Sequence, residues 1–436
     1  MPRLKPGTRL AMSDGRPLVV LGFIASGGQG EVYKVRLENR IMALKWYTER
    51  NIIDNNGFLA TLRYNCAQEP PSAAFIWPEG VTKRMYGSYG YVMRLRPETY
   101  FDLGKFFCID RYPDAYFRSW LAKLTAALKI CDGFSRLHKK GFSYQDLNDG
   151  NFLIHPVTGD VLICDNDNIA MDGYNNGIGG KPHYMAPEVM SGKIPNTESD
   201  RFSLAIVLYR IFMVDHPFEG RTTCSSRYVC MTPAEEASLF GKDAVFCYDR
   251  IDASNRPDER RHPNSVKYWA QLPESIRDMF CRALSRQAVR QPSLRVKASE
   301  WKRLLLRMRA ELVTCRALAE DPLHDFLVDG RLPAVCPACG EMYDSGFKLR
   351  FANGSEYRVT EGKPLFFADS FVPVGYGRRI SLPGGGEALA LENLSRVPWN
   401  IVSPKGSVMC VEPGTMFQLV PDIEIIFPGI RAKVHV

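Results

Sequence analysis

Nowhere does the 436-residue chain offer the 18 or so uninterrupted apolar residues that a helix needs to cross a bilayer. The best candidate, Ser203 to Val214, is short and carries Arg210, so no membrane span is expected. Blocks of like charge are missing too. Its 56 lysines and arginines against 48 aspartates and glutamates give a net charge of +8, spread along the chain, so no nucleic-acid surface is required. The opening Met1-Pro2-Arg3-Leu4-Lys5-Pro6 lacks the apolar core of a signal peptide. Twelve cysteines could form disulfides, yet most sit singly in apolar segments (Cys131, Cys164, Cys281), as buried thiols in a reducing compartment do. A cytoplasmic location is the expectation. Two local absences bear on chemistry: there is no glutamate from Asn51 to Cys66, and no serine or threonine from Asn166 to Met185.

What is present is a globular composition, 45% hydrophobic and 24% charged, at a length that suggests two or three domains. The most informative stretch is Tyr144-Gln145-Asp146-Leu147-Asn148-Asp149-Gly150-Asn151, just after a helix-like apolar run ending at Leu137-His138. An Asp five residues before an Asn suits phosphoryl transfer: the carboxylate accepts a hydroxyl proton and the amide oxygen coordinates magnesium. Upstream, Ala25-Ser26-Gly27-Gly28-Gln29-Gly30-Glu31-Val32 follows the apolar Val19 to Gly22, predicting a strand, a turn and a strand whose amides can approach phosphate. Alone, that segment reads equally well as an ordinary hairpin. Met42-Ala43-Leu44-Lys45 places a lysine at the end of the next strand, and Val161-Leu162-Ile163-Cys164 predicts a buried strand delivering Asp165. Ala186-Pro187-Glu188 follows, and Ser199-Asp200-Arg201-Phe202-Ser203-Leu204 opens an apolar helix.

Five motifs in this order resemble a eukaryotic-type protein kinase domain spanning about residues 15 to 312. The resemblance implies Asp146 as catalytic base, Asn151 and Asp165 as magnesium ligands and Lys45 as the phosphate-positioning cation. Gly27 and Gly30 match two loop glycines, and Ala25 stands at the first. Met93 falls at the gatekeeper and Arg94 to Arg96 at the hinge, with Gly28, Val32, Ala43 and Leu95 completing the implied ATP site. Glu188 is expected to pair with Arg295, and Asp200 to anchor the catalytic loop.

Departures from the family pattern carry their own expectations. With no glutamate in 51–66, and Asn65 near the usual place, Lys45 is left without an obvious carboxylate partner, so its position should depend more on bound nucleotide. Tyr144-Gln145 replaces the usual His-Arg, removing the arginine that would receive an activation-loop phosphate; together with the missing serines and threonines, this predicts activity without activation-loop Ser/Thr phosphorylation. A phosphoserine or phosphothreonine in 166–185 on which activity depends would overturn it. Asn148 replaces a catalytic lysine, and Lys181, in Gly180-Lys181-Pro182-His183-Tyr184, is a candidate substitute as a catalytic cation. Asp165-Asn166-Asp167 replaces the usual phenylalanine and glycine, which argues against a Phe-in, Phe-out switch.

Beyond the helices, Cys315, His324, Cys336 and Cys339 form Cys-x8-His-x11-Cys-x2-Cys, a ligand set for structural zinc, with a redox Cys-x2-Cys as the alternative. From about Met342, nine short β-type runs between Glu356 and Val436 predict a small sandwich. Leu391-Glu392-Asn393-Leu394-Ser395 and the closing Pro413-Gly414, Leu419, Ile425-Ile426-Phe427 resemble a forkhead-associated domain, although Arg378 and Arg379 lie out of register for the usual phosphate contacts. Leu239-Phe240-Gly241-Lys242, Ser254-Asn255-Arg256-Pro257 and Phe75-Ile76-Trp77-Pro78 resemble a bacterial kinase subgroup encoded beside von Willebrand factor A proteins and metal-dependent protein phosphatases in tellurite-resistance-type stress or defence clusters. Such neighbours are the implied partners.

The expected architecture is therefore α+β: a bilobal kinase-like domain over 1–312 (small lobe about 15–95, large lobe about 96–312), a zinc-knuckle linker over 313–341, and an all-β, forkhead-associated-like sandwich over 342–436. The expected activity is ATP- and magnesium-dependent phosphorylation of serine or threonine on a partner protein. A nucleotide-binding pseudokinase scaffold is the alternative.

Overall fold

Alternation of side chains builds the first layer. The computed structural model describes residues 3–175, 177, 179–224, 231–315, 324–328, 334–343 and 346–436. Six strands, β1 (Arg9–Ala11), β2 (Pro17–Ser26), β3 (Gly30–Leu37), β4 (Arg40–Tyr47), β5 (Pro78–Val81) and β6 (Gly90–Arg94), pair antiparallel in the order β1-β2-β3-β4-β6-β5. In β3, Tyr33, Val35 and Leu37 point inward while Lys34 and Arg36 face solvent, the two-residue period of a half-buried strand. Gly30 is demanded by the sheet, since a Cβ there would lie 2.3 Å from the Trp46 carbonyl oxygen; at Gly27 and Gly28 a Cβ would meet open space. Two helices cross the sheet, α1 (Arg50–Ile53) and α2 (Asn56–Cys66). The Asn55 side chain caps α2, which buries Phe58, Leu59, Leu62 and Asn65.

Helical packing dominates the second lobe. Helix α3 (Trp120–Lys139) starts at a Ser119 cap and buries Leu124, Leu128, Cys131 and Phe134. After the short α4 (Pro187–Met190), α5 (Thr197–Met213) opens with a capping box between Asn196 and Ser199 and is buried along most of its length. The apolar 203–214 stretch is thus a core helix; among the described residues no helix is long and apolar enough to cross a membrane. Glu188 and the buried Arg295 form a bidentate pair at 2.6 and 2.8 Å, tying α4 to the helices behind it.

The C-terminal region holds ten strands in two antiparallel sheets. Phe347–Phe351, Glu356–Val359, Trp399–Val402, Val408–Val411, Glu424–Phe427 and Ile430–His435 make the larger sheet; Pro364–Leu365, Gly375–Ser381, Glu387–Asn393 and Met416–Gln418 make the smaller. Trp399, Leu391, Leu349 and Ile425 fill the space between them. The strand Phe347–Phe351 lies outside the nine runs expected from sequence, although its Phe-Lys-Leu-Arg-Phe alternation carries the signal.

The sandwich is fixed to the last helix of the second lobe, Ala298–Glu311. Arg358 and Lys348 both reach Glu311, Arg309 donates to the carbonyls of Ala368 and Ser370, and the buried Lys363 ammonium donates to the Ala310 and Arg358 carbonyls. Lys302 spans Asp132 of α3 and Asp369 of the sandwich at 2.6 and 2.7 Å. Desolvation holds Lys363 well below the ordinary lysine range, so carbonyls are its natural partners.

Candidate active site

The turn after α3 places the catalytic-loop residues. Asp200, buried on α5, accepts the backbone N–H groups of Tyr144 and Gln145 at 2.7 and 3.0 Å and lies 3.0 Å from His138 Nε2, so the loop is held from beneath. The amide nitrogen of Asn151 donates to the Asp146 carbonyl at 2.8 Å, which leaves its oxygen as the remaining ligand atom. Asn148 donates to both the carbonyl and the carboxylate of Asp146, at 3.1 and 3.0 Å. Burial, partly offset by the Asn148 hydrogen bond, pushes the Asp146 carboxyl up to about 6.

Strand Val161–Ile163 pairs with Phe152–Ile154 and leads to Asp165, whose backbone is left-handed at φ 49°. That turn aims the carboxylate at the first lobe, where the Lys45 ammonium sits 3.2 Å from Asp165 Oδ1. A second carboxylate meets the same lysine: Asp167 lies 2.9 Å away through Oδ2 and 3.1 Å through Oδ1. The amide oxygen of Gln29, from the glycine loop, accepts from Lys45 at 2.7 Å. Lys45 therefore has carboxylate partners, which corrects the expectation that it lacks one. The partners are Asp165 and Asp167 of the second lobe and not a residue of α2.

Val32, Ala43, Met93 and Leu95 of the first lobe share one apolar cluster with Leu153 and Leu162 of the second. Met93 pairs with Ala43 across β6 and β4. These apolar side chains, the glycine loop that carries Gln29 and the acidic and amide oxygens of Asp165 and Asn151 are the groups that suit a nucleoside triphosphate with a hard cation. Residues 97–300 match the protein kinase domain family.

The chain carries a protein kinase domain. Over 208 residues, 46% of this chain and 42% of the relative, it is 28% identical to serine/threonine-protein kinase AtPK2/AtPK19 of Arabidopsis thaliana. Over 207 residues, 46% of the chain and 35% of the relative, it is 27% identical to serine/threonine-protein kinase gad8 of Schizosaccharomyces pombe. A shorter stretch of 96 residues, 21% of the chain and 14% of the relative, is 35% identical to a putative protein kinase C delta type homolog of Drosophila melanogaster. The chain thus spans less than half the length of these relatives. The family match begins after the six-stranded sheet, so the placement of Ala25, Gly27, Gly28, Gly30 and Lys45 rests on the geometry of the sheet itself.

Within the kinase domain the unusual residues have defined partners. Gln145, at φ 72°, donates through its side chain to the Tyr174 carbonyl and to Ser143 Oγ, holding the following loop with an amide where the family has a cation. Asn166 donates to the carbonyls of Ile76 and Ile163 at 2.7 and 2.9 Å, so the position usually held by phenylalanine is pinned inside the fold. Lys181 pairs with Asp149, which also meets Arg210 at 3.2 Å; its ammonium is half-exposed beside the catalytic loop.

A second cluster lies apart from this cleft. The ligand atoms of Cys315, His324, Cys336 and Cys339 all fall within 4.8 Å of one another, with the Cys315 and Cys339 sulfurs 3.3 Å apart and Cys336 Sγ 3.7 Å from His324 Nδ1. The Cys336–Cys339 turn closes through Gly340, whose N–H reaches the Cys336 carbonyl at 2.9 Å and whose φ of 79° suits glycine. Three sulfurs and one imidazole at this spacing fit the soft, tetrahedral preference of zinc. One residue beyond His324, the buried Asp325 accepts the N–H groups of Trp120 and Leu121 at 2.6 and 2.7 Å and so caps α3.

Proposed function

We propose that this chain is a protein kinase that transfers the terminal phosphoryl group of ATP to serine or threonine hydroxyls of a partner protein. The observation that carries the reading is the Lys45–Asp165 contact at 3.2 Å, which joins the strand lysine of one lobe to the metal-motif aspartate of the other beside an intact Asp146 and Asn151. In this reading Asp146 is the base, with Lys45 on the inner phosphates and the backbone of Ala25 to Gly30 over them. Val32, Ala43, Met93 and Leu95 enclose the adenine. Asn151 and Asp165 would hold magnesium, which supplies positive charge to the bridged phosphates. The test is purified chain with magnesium and labelled ATP, with and without Asp146→Asn. Label on protein that disappears in the variant supports transfer; nucleotide binding without transfer to any protein supports the scaffold alternative.

Lys181 is the catalytic cation that Asn148 cannot be. Its half-exposed ammonium, beside the catalytic loop and held by Asp149, supports this role. Lys181→Ala should lower turnover much more than nucleotide affinity. Equal losses in kcat and in nucleotide binding would remove the assignment.

The Cys315, His324, Cys336 and Cys339 cluster is read as a structural zinc site and the tail as a forkhead-associated-like sandwich that holds substrate. The bacterial subgroup resemblance extends the reading to stress or defence signalling in the cytoplasm, with a von Willebrand factor A protein and a metal-dependent phosphatase as partners.

A further inference from the structure

We propose that Asp167, and not a residue of helix α2, is the carboxylate that positions Lys45 for catalysis. The inference rests on the kinase reading above and names a positioning residue within it. Both Asp167 oxygens are committed. Oδ1 accepts from Lys45 at 3.1 Å and from the Tyr91 hydroxyl at 3.0 Å; Oδ2 accepts from the Tyr47 hydroxyl at 2.7 Å and lies 2.9 Å from Lys45. Asp167 is 1% exposed and Lys45 5% exposed, so the pair is shielded from salt and solvent. With every acceptor engaged inside the protein, Asp167 is not free to serve as a metal ligand, which separates its task from that of the half-exposed Asp165.

Helix α2 offers no substitute. It contributes no acidic side chain, and Asn65 instead donates through its amide to the Ile169 carbonyl at 2.9 Å. The helix therefore touches the segment after Asp165 through an uncharged bond and leaves the lysine alone. Tyr47 and Lys45 stand on β4 and Tyr91 on β6, which are hydrogen-bonded neighbours in one sheet. The carboxylate is clamped by that sheet and by the turn Asn166–Asn168, both fixed elements. Lys45 should thus be aligned before nucleotide arrives, without a swing of the small-lobe helix.

The test uses an isosteric change and the split between kcat and KM, which a merely structural loss would not produce. The groups facing Lys45 are Asp165 and Asp167, with Tyr47, Tyr91 and Asp146 near them. In Asp167→Asn the Lys45 ammonium keeps only Asp165 as a carboxylate partner. Turnover should fall by about 10²-fold, the cost of a misplaced catalytic group, with a smaller change in the KM for ATP. Turnover within about twofold of the parent, well short of the tenfold steps that decide a mechanism, would overturn the proposal.

Should Asp167→Asn melt too low for kinetic assays, Lys45→Met in the same background removes a buried charge that has lost one of its two carboxylate partners. A double variant that melts higher than Asp167→Asn supports the pairing, and one that melts no higher overturns it. The melting comparison needs no phosphoryl transfer. A parent chain without transfer activity would therefore remove the functional reading while leaving this pairing open to its own test.

Discussion

Asp146→Asn should lower phosphoryl transfer by about 10²–10⁴-fold, the usual worth of a positioned general base. The substitution keeps the shape of the side chain and its hydrogen bond from Asn148, so the melting temperature should move little and the loss should reside in kcat. A pH profile of the parent sharpens the case. Burial holds the Asp146 carboxyl up to about 6, and a base works only when ionised. Transfer should therefore be level above neutrality and fall about tenfold per pH unit below about 6. A profile flat down to pH values near those of ordinary carboxylates, about 4, would separate this limb from Asp146.

Zinc removal should have the second large effect. Binding at structural sites of this ligand type is worth about 10–16 kcal/mol in small zinc-dependent folds, and here it would fasten chain that has little core of its own. The local strands are two residues each, Val313–Thr314 with Asp325–Phe326 and Ala334–Val335 with Met342–Tyr343. Cys336→Ser should abolish stoichiometric zinc by elemental analysis and lower the melting temperature. Because Asp325 caps α3 from a position next to His324, the loss should reach the kinase lobe, adding about 0.5–2 kcal/mol for the missing cap. Protein purified without chelator and free of zinc would remove the site, and a metal-loaded parent that melts like the variant would remove its structural role.

Much of this was legible in the sequence because it is local. The short segments around Lys45, around Asp146 and Asn151 and around Asp165, the Ala186-Pro187-Glu188 turn and each alternating run of the tail occupy a few neighbouring residues. The cysteine and histidine spacing was likewise sufficient to nominate four atoms that the fold brings within 4.8 Å. What escaped depends on long-range pairing. Lys45 and Asp167 are 122 residues apart, and Asp165-Asn166-Asp167 looks in sequence like the loss of a phenylalanine and a glycine. The available signal was different: three polar residues in succession directly after a buried strand must each find partners, and Asp167 can neutralise a buried cation. Arg309 and Lys363 were silent for a similar reason. Side chains of this type are mostly exposed, whereas the fold uses these two on carbonyls between the last helix and the sandwich.

If the tail holds substrate, as proposed above, that junction sets how it does so. A domain on a flexible linker samples a volume, and the effective concentration it confers falls smoothly as the linker lengthens. Here Glu311 is shared by Lys348 and Arg358, and Lys302 rivets α3 to Asp369, so the sandwich is a bracket with one bearing relative to Asp146. Reach then becomes a matter of fixed distance. A protein gripped by the sandwich presents the cleft with those hydroxyls that fall at one separation from the grip, and serines or threonines elsewhere on it stay out of range however tightly it is held.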